Sequence, residues 1–242
     1  SILSGLLSPF VLGLIWYKLT KDKIAGIIAS LLLLFSFWSF SLSRSAFEAN
    51  FSILILLVSV LFFLHKKYFI SALGFTSLLY TYNSYRILLP LIIIGYMAIY
   101  RKNINWKKAA IFLATVLFFS LPLLRFIWMN STALIRLDQV LPQDNPLIFV
   151  MKNYLTYFSP NFLLLNGDSN LRHFSSSAGQ FSILAVILAL VGIYRAIIEK
   201  KKDYLFLIFL LLISPIPAAI TKDPGHSLRS ILMLPVFLSL AV

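Results

Sequence analysis

Nine apolar runs alternate with polar connections along the chain, at 2–17, 24–42, 50–64, 68–80, 87–100, 107–128, 180–197, 204–220 and 228–242. Each run predicts a helix. A spanning helix needs about 20 apolar residues, or about 17 at the short end. The third to fifth runs fall short of that, and flanking Tyr, Arg and Lys residues are expected to supply their ends. Aromatic residues sit at several edges: Trp16 and Tyr17, Tyr68, Tyr80, Tyr100, Trp106, Trp128 and Tyr204. Trp and Tyr favour the membrane–water boundary. Pro215 and Pro217 interrupt the eighth run. The pattern predicts an all-α polytopic membrane helical bundle of about nine transmembrane segments, forming one domain over residues 1–242.

The connection at 129–179 is much longer than its neighbours. Connections of that length are usually functional or disordered. Here the composition argues for order. Asn145-Pro146 reads as an N-cap followed by Pro at the first helical position. Leu147, Val150, Met151, Tyr154, Leu155 and Phe158 follow at helical spacing, with Lys152, Asn153 and Thr156 opposite. A short amphipathic helix lying in the membrane interface is expected there.

Composition narrows the class. The chain is 60% hydrophobic and 12% charged, with a mean hydropathy of +0.91. A soluble domain of this size would expose too much apolar surface. Charge then sets a direction. Of the 21 basic residues, 13 fall in every second connection. They are Lys18, Lys21 and Lys23; Lys66 and Lys67; Arg101, Lys102, Lys107 and Lys108; and Arg195, Lys200, Lys201 and Lys202. Such an excess marks cytoplasmic loops, so the other connections, 129–179 included, are expected to be extracytoplasmic. The net charge of +13 forms no basic stripe on a polar domain, and anionic lipid accounts for the inner excess. Nucleic acid is not an expected partner. The lack of cysteine removes disulfides and thiolate metal ligands. The chain starts at Ser1 without a signal-peptide n-region and stops inside an apolar run. It reads as a piece of a longer integral protein of a bacterial or archaeal plasma membrane.

Candidate chemistry lies in the outward connections. Asn166-Gly167-Asp168-Ser169-Asn170-Leu171-Arg172-His173 puts adjacent Arg and His after a Gly-Asp turn. Arg grips phosphate bidentately, and His supplies a hydrogen bond or a proton. The same residues also read as a solvated turn with Asp168 pairing Arg172. Farther on, Asp223, His226 and Arg229 recur at helical spacing. They read as a second contribution to one outer site, and equally as a helix start capped at Asp223-Pro224. Arg44 and Glu48 are four apart, so one helix would pair them on one face. At a membrane boundary they would instead line a cavity. Tyr82, Tyr85 and Arg86 suit contact with a sugar or lipid phosphate, and also interface anchoring. Asp168, His173, Asp223 and His226 lack recognised ligand spacing, so neither metal nor cofactor is expected.

Several ordered blocks resemble a known family. Ser43-Arg44-Ser45-Ala46-Phe47-Glu48 follows a Phe/Ser/Trp-rich helix. Tyr82-Asn83-Ser84-Tyr85-Arg86 precedes Pro90. Phe158-Ser159-Pro160-Asn161-Phe162, Gly167-Asp168 and Arg172-His173 lead to Gly179-Gln180. Pro215 to Thr221 is followed by His226 and Arg229. Together these resemble the polytopic GT-C glycosyltransferases, the dolichyl-phosphate-mannose–protein mannosyltransferase superfamily and its bacterial relatives.

The resemblance implies an enzyme that moves a sugar, with inversion, from a polyprenyl-phosphate donor to a protein, lipid or glycan acceptor at the extracytoplasmic face. It implies Arg44, Glu48, Tyr85, Arg86, Asp168, Arg172, His173, His226 and Arg229 as substrate-binding residues. The family's catalytic base is an acidic residue in the first outward loop, which is expected upstream of Ser1. No catalytic residue is therefore assigned, and the 242-residue piece is expected to be inactive on its own. Two rivals share the membrane setting. One is a transporter or lipid flippase, which would place charges or helix breaks near the midplane. The other is a polysaccharide polymerase or ligase using polyprenyl diphosphate donors.

Overall fold

The computed structural model describes residues 1–44, 47–130, 146–168, 170, 178–223 and 225–242. Helices make up every regular element among them. In chain order these are α1 (Ile2–Thr20), α2 (Lys23–Leu34), α3 (Phe37–Arg44), α4 (Glu48–Leu64), α5 (Tyr68–Thr81), α6 (Tyr85–Tyr100) and α7 (Trp106–Met129). After them come α8 (Pro146–Thr156), a π-helical turn (Asn161–Leu165), α9 (Ile183–Glu199), α10 (Lys202–Ile213), α11 (Ile216–Ala219) and α12 (Met233–Leu240). Side-chain caps start several of them. Asp22 accepts from the Ile24 N–H at 2.8 Å, Asn105 from Lys108 at 3.2 Å and Ser182 from Ala185 at 3.2 Å. Each cap satisfies a donor that a helix start leaves open.

Helix ends on the basic side are built differently. Lys21, Lys66 and Lys200 close α1, α4 and α9 with φ of 62°, 61° and 49°. Glycine is the usual residue in that left-handed position. At α4 the closure is a full Schellman motif, with Lys66 N–H bonded to the Phe63 carbonyl and Lys67 N–H to that of Phe62.

Three stretches are long and apolar enough to cross a membrane: α1, α7 and Lys202–Ala219, which joins α10 and α11. The pair α2 and α3, bent by 54°, makes a fourth. The remaining apolar helices α4, α5 and α6 are shorter. Two expectations need correction. The run 24–42 is not one helix, because the chain turns at Phe35-Ser36 to bring Trp38 into the core. The run 228–242 stays in turns up to Leu232 and is helical only from Met233 to Leu240. Its Ser230 donates to the His226 carbonyl through both its backbone N–H and its hydroxyl.

Small polar residues let the helices approach closely, as apolar driving force between helices is weak in lipid. Ser30 donates to the Pro9 carbonyl at 2.9 Å across α1 and α2, and Ser71 to the Ser59 carbonyl at 2.8 Å across α5 and α4. An aromatic chain links distant segments. Trp38 meets Phe162 and Phe181 edge-on at 5.9 and 5.4 Å, and Phe181 stacks on Phe237 at 4.2 Å. Segment 179–181 is fixed to the π-helical turn by backbone bonds from Gly179, Gln180 and Phe181 to Leu164, Phe162 and Leu163. The outer surface stays apolar, with Phe10, Ile24, Leu117, Phe118 and Ile183 all more than half exposed. Lipid is the solvent that suits such a surface.

Alternation along the sequence becomes segregation in space. At one end, Tyr100 donates to Asp203 and the Lys202 ammonium to Asn103, which joins the α6–α7 and α9–α10 connections. At the other end of α6, Ser84 donates to the Arg229 carbonyl at 3.1 Å. The far end of α10 meets α8, where Tyr154 donates to the Leu212 carbonyl at 2.8 Å. These two basic connections thus meet at one end of the bundle, and Ser84, Arg229 and Tyr154 lie toward the other.

Candidate functional site

Two left-handed glycines shape the polar end. Gly167 and Gly225 have φ of +65° and +69°, a backbone region that glycine enters without penalty. Each sits directly before a candidate residue. A Cβ built on Gly225 would lie 3.8 Å from the Gly167 carbonyl oxygen, so the two turns face each other at close range.

Asp168 and Ser227 join the two turns. The buried Asp168 carboxylate takes the Ser227 N–H at 2.7 Å and the Ser227 hydroxyl at 2.6 Å on Oδ2. Its Oδ1 takes the Asn170 N–H at 2.8 Å. A buried carboxylate is tolerated only when hydrogen-bonded in this way. Next to it, the His226 N–H donates to the Tyr157 hydroxyl at 2.9 Å. Tyr157 is fully buried against Phe162. Burial raises its hydroxyl well above the ordinary tyrosine range, and nearby Asp168 and Asp223 add to the rise.

Arg229 forms the open side. Its Nη1 donates to the Thr221 hydroxyl at 2.7 Å and to the exposed Asp223 carboxylate at 3.1 Å. Nε and Nη2 have no partner among the described residues. From the α5–α6 connection, Tyr82 comes within electrostatic range of both Arg229 and Glu48. Burial pushes its hydroxyl up to about 12, which Ser84 and Arg229 oppose and Glu48 reinforces.

Asn153 fastens α8 onto this cluster. Its amide donates to the carbonyls of Ala219 and Thr221 at 3.0 and 2.9 Å, closing the end of α11. The amphipathic helix is present at the expected residues, with Val150, Tyr154 and Phe158 packed on the core, but one residue of its polar side, Asn153, points inward. Asn153 is buried, while Leu147, Met151 and Leu155 are exposed. Open helix-end carbonyls of α11 supply the partner that draws Asn153 in.

The structure therefore brings Glu48, Asp168, His226 and Arg229 to one end, with Tyr82, Tyr157, Thr221 and Ser227 among them. It separates others. Arg44 ends α3 and Glu48 starts α4, so they do not share a helix, and no ion pair joins them among the described residues. The Arg44 guanidinium lies over the Phe40 ring at 5.9 Å. Tyr85 is a fully buried core residue of α6, because Ser84 instead faces the cluster. Arg86 is exposed and donates to the Leu79 carbonyl at the end of α5. Arg172 and His173 lie outside the described residues. Among the described residues, no group of three His, Cys, Asp or Glu forms a metal-binding set. Sequence reasoning missed Tyr157, Thr221, Ser227 and Asn153. Tyr157 belongs to neither face of the predicted amphipathic helix, and single Ser and Thr residues carry no pattern of their own.

No family model matches this chain, and no curated protein or solved structure matches it.

Proposed function

We propose that this chain carries the donor-phosphate side of an integral-membrane glycosyltransferase, which moves a sugar from a polyprenyl phosphate to an acceptor at the extracytoplasmic face. In this reading the basic end is cytoplasmic, the apolar runs before 228 cross the membrane, and the 129–179 connection lies outside. The observation that carries it is the meeting of three connections at Arg229, at one end of a bundle whose outer surface is apolar: Ser84 donates to its carbonyl, Tyr157 lies within its electrostatic range, and Thr221 and Asp223 accept from its Nη1. A lipid tail is accommodated by apolar helices, and a phosphate at the boundary needs a fixed cation. Arg229 is fixed through Nη1 and keeps Nε and Nη2 for a bidentate contact.

The reaction breaks the bond between the sugar anomeric carbon and the phosphate oxygen. The acceptor oxygen forms the new bond from the opposite face and gives its proton to a carboxylate. Arg229 stabilises the phosphate as charge develops on it. Asp168 acts as a positioning residue, since both its oxygens already hold the turn. We assign it no proton transfer.

A diazirine analogue of a polyprenyl-phosphate sugar tests this in proteoliposomes. Crosslinks are expected in 154–170 and 221–229, and Arg229→Ala should weaken them at least tenfold, about 1.4 kcal/mol. Crosslinks spread evenly over the helices, or unchanged in Arg229→Ala, would reject the reading. A second reading, a transporter or flippase, is favoured by the 54° break between α2 and α3 and by the broken α10–α11 stretch. It would show lipid translocation without sugar transfer. A polymerase or ligase would prefer the diphosphate form of the probe.

A further inference from the structure

A second candidate site lies at the opposite end of the bundle from Arg229. A cavity of about 560 Å³ runs between α1, α4, α5, α6, α7, α10 and α12. That volume falls within the range of small-molecule sites. Its walls are apolar, with Leu, Ile and Val side chains and an aromatic cluster that includes Phe63, Phe75, Tyr96, Phe112 and Phe206. The rings hold each other in place. Phe63 meets Tyr68, Tyr96 and Phe112 edge-on at 5.4, 5.2 and 5.9 Å, and Tyr96 meets Phe206 at 5.7 Å.

The polar residues of the cavity are not scattered. Apart from Ser239 of α12, the short polar and charged ones come from helix ends and connections at the basic end: Thr20, Lys66, Asn103, Asn105, Lys108, Lys201 and Asp203. Three of these are cations and one is an acid. Lys201 is already paired with Glu199 at 2.8 Å, and Asp203 accepts from Tyr100. Lys66 and Lys108 form no ion pair among the described residues. Lys108 lies over the Tyr68 ring at 5.6 Å, which holds its charge beside the opening. An apolar chamber with unneutralised lysines at its mouth complements a molecule with a hydrocarbon body and an anionic head.

We infer that this cavity holds the hydrocarbon chain of an anionic membrane phospholipid, with the phosphate at the mouth beside Lys66 and Lys108. The source is the bilayer itself, because the basic end of a membrane protein faces the anionic leaflet. The inference is separate from the outer-face reading, since it uses none of the residues around Arg229.

Trp16 reports on the cavity directly. It lines the chamber, is only 7% exposed, and donates through its indole N–H to Ser239. The full chain would be reconstituted in phosphatidylcholine vesicles containing phosphatidylglycerol with brominated chains. Brominated phosphatidylcholine serves as the comparison. The Trp16 signal is the fluorescence lost in Trp16→Phe. Quenching by brominated phosphatidylglycerol should be half-complete at about a tenfold lower mole fraction than by brominated phosphatidylcholine. Lys66→Gln and Lys108→Gln should each weaken it about fivefold, the effect of one basic residue near an anionic surface. Ala109→Phe, which narrows the chamber, should abolish it while leaving the other tryptophans unchanged. Equal quenching by the two lipids, or lysine variants like the parent, would overturn the inference. Displacement by a trace of polyprenyl phosphate would also overturn it, assigning the chamber to a polyprenyl carrier.

Discussion

Ser227 holds Asp168 twice, once through its backbone N–H at 2.7 Å and once through its hydroxyl at 2.6 Å, both on the same carboxylate oxygen. One residue of the last polar connection thereby fixes a residue 59 positions earlier. The pair is the main tie between the 157–170 segment and the 221–230 segment. Asp168→Ala removes the acceptor of the Ser227 N–H, the Ser227 hydroxyl and the Asn170 N–H. It should cost about 1.5–3 kcal/mol, the range for hydrogen bonds to a charged group. Ser227→Ala keeps the backbone bond and should cost about half of that. Reversible unfolding in mixed micelles would measure both. Equal costs would show that the serine hydroxyl carries the whole tie.

Arg229 has a partner set that separates two roles. Loss of the pair with exposed Asp223 contributes about 0–1 kcal/mol, and loss of the hydrogen bond to the buried Thr221 hydroxyl adds about 1.5–3 kcal/mol to the cost in stability. Loss of a phosphate contact acts on donor use instead, by roughly 1.5–3 kcal/mol. In the full-length parent, Arg229→Ala should thus reduce use of a polyprenyl-phosphate donor by about one to two orders of magnitude, beyond the stability it loses with the Thr221 contact. Arg229→Lys should recover only part, since Lys lacks the bidentate fork. Transfer rates and melting temperatures of both variants decide this. Unchanged rates would leave Arg229 as an ordinary loop cation.

Asn153 is a tether, and its removal should be visible in one helix. Asn153→Ala leaves the carbonyls of Ala219 and Thr221 without their donor and frees α8 from α11. Lys152 is exposed beside it. Local opening should become easier by at least about 1.4 kcal/mol, so tryptic cleavage after Lys152 should speed up about tenfold. Cleavage at the parental rate would mean that Val150, Tyr154 and Phe158 hold α8 without the tether.

Much of the helix layout was legible in the sequence, and much of the site was not. The run 107–128 became α7 at Trp106–Met129, and Asn145-Pro146 marked the start of α8. Local pattern sets both. The break at Phe35-Ser36 has neither Pro nor Gly at the turn, because it follows from packing Trp38 against Phe162 and Phe181. Those rings lie more than 120 residues away in sequence, where no local pattern can point. Asn153 was misplaced for the same reason. Helical spacing puts it opposite Leu147 and Met151, and spacing cannot tell whether that side meets water or the carbonyls of α11. Arg44 and Glu48 looked like a helical pair until α3 ended between them. Asp168, His226 and Arg229 were found because charged residues are few in this chain, while Ser227 and Tyr157 become meaningful only in three dimensions.

Tyr82 supplies a prediction in pH. Burial raises its hydroxyl to about 12 in the fold, against about 10 in an unfolded chain. A raised pKa means that the folded state keeps its proton while the unfolded state loses it. The stability from neutral Tyr82 is complete below about pH 10 and declines as pH rises toward 12. Tyrosinate absorbance should rise later in the parent than in urea-unfolded protein. In Tyr82→Phe the latest part of the folded-state titration should shrink, and the alkaline loss of stability between pH 10 and 12 should be smaller. A titration unchanged by Tyr82→Phe would mean that this hydroxyl is solvated.

The lysines at 21, 66 and 200 place two demands on single residues. By backbone criteria each belongs to glycine, and replacing a left-handed lysine with glycine relieves about 1 kcal/mol of strain. By charge criteria each belongs to lysine, which complements the negative end of its helix and, in the orientation proposed above, adds to the cytoplasmic excess read as the chain enters the bilayer. Thermodynamic comfort and correct insertion therefore pull in opposite directions at three positions. Redesigning these caps for heat resistance would give a protein that melts later and enters the membrane upside down more often.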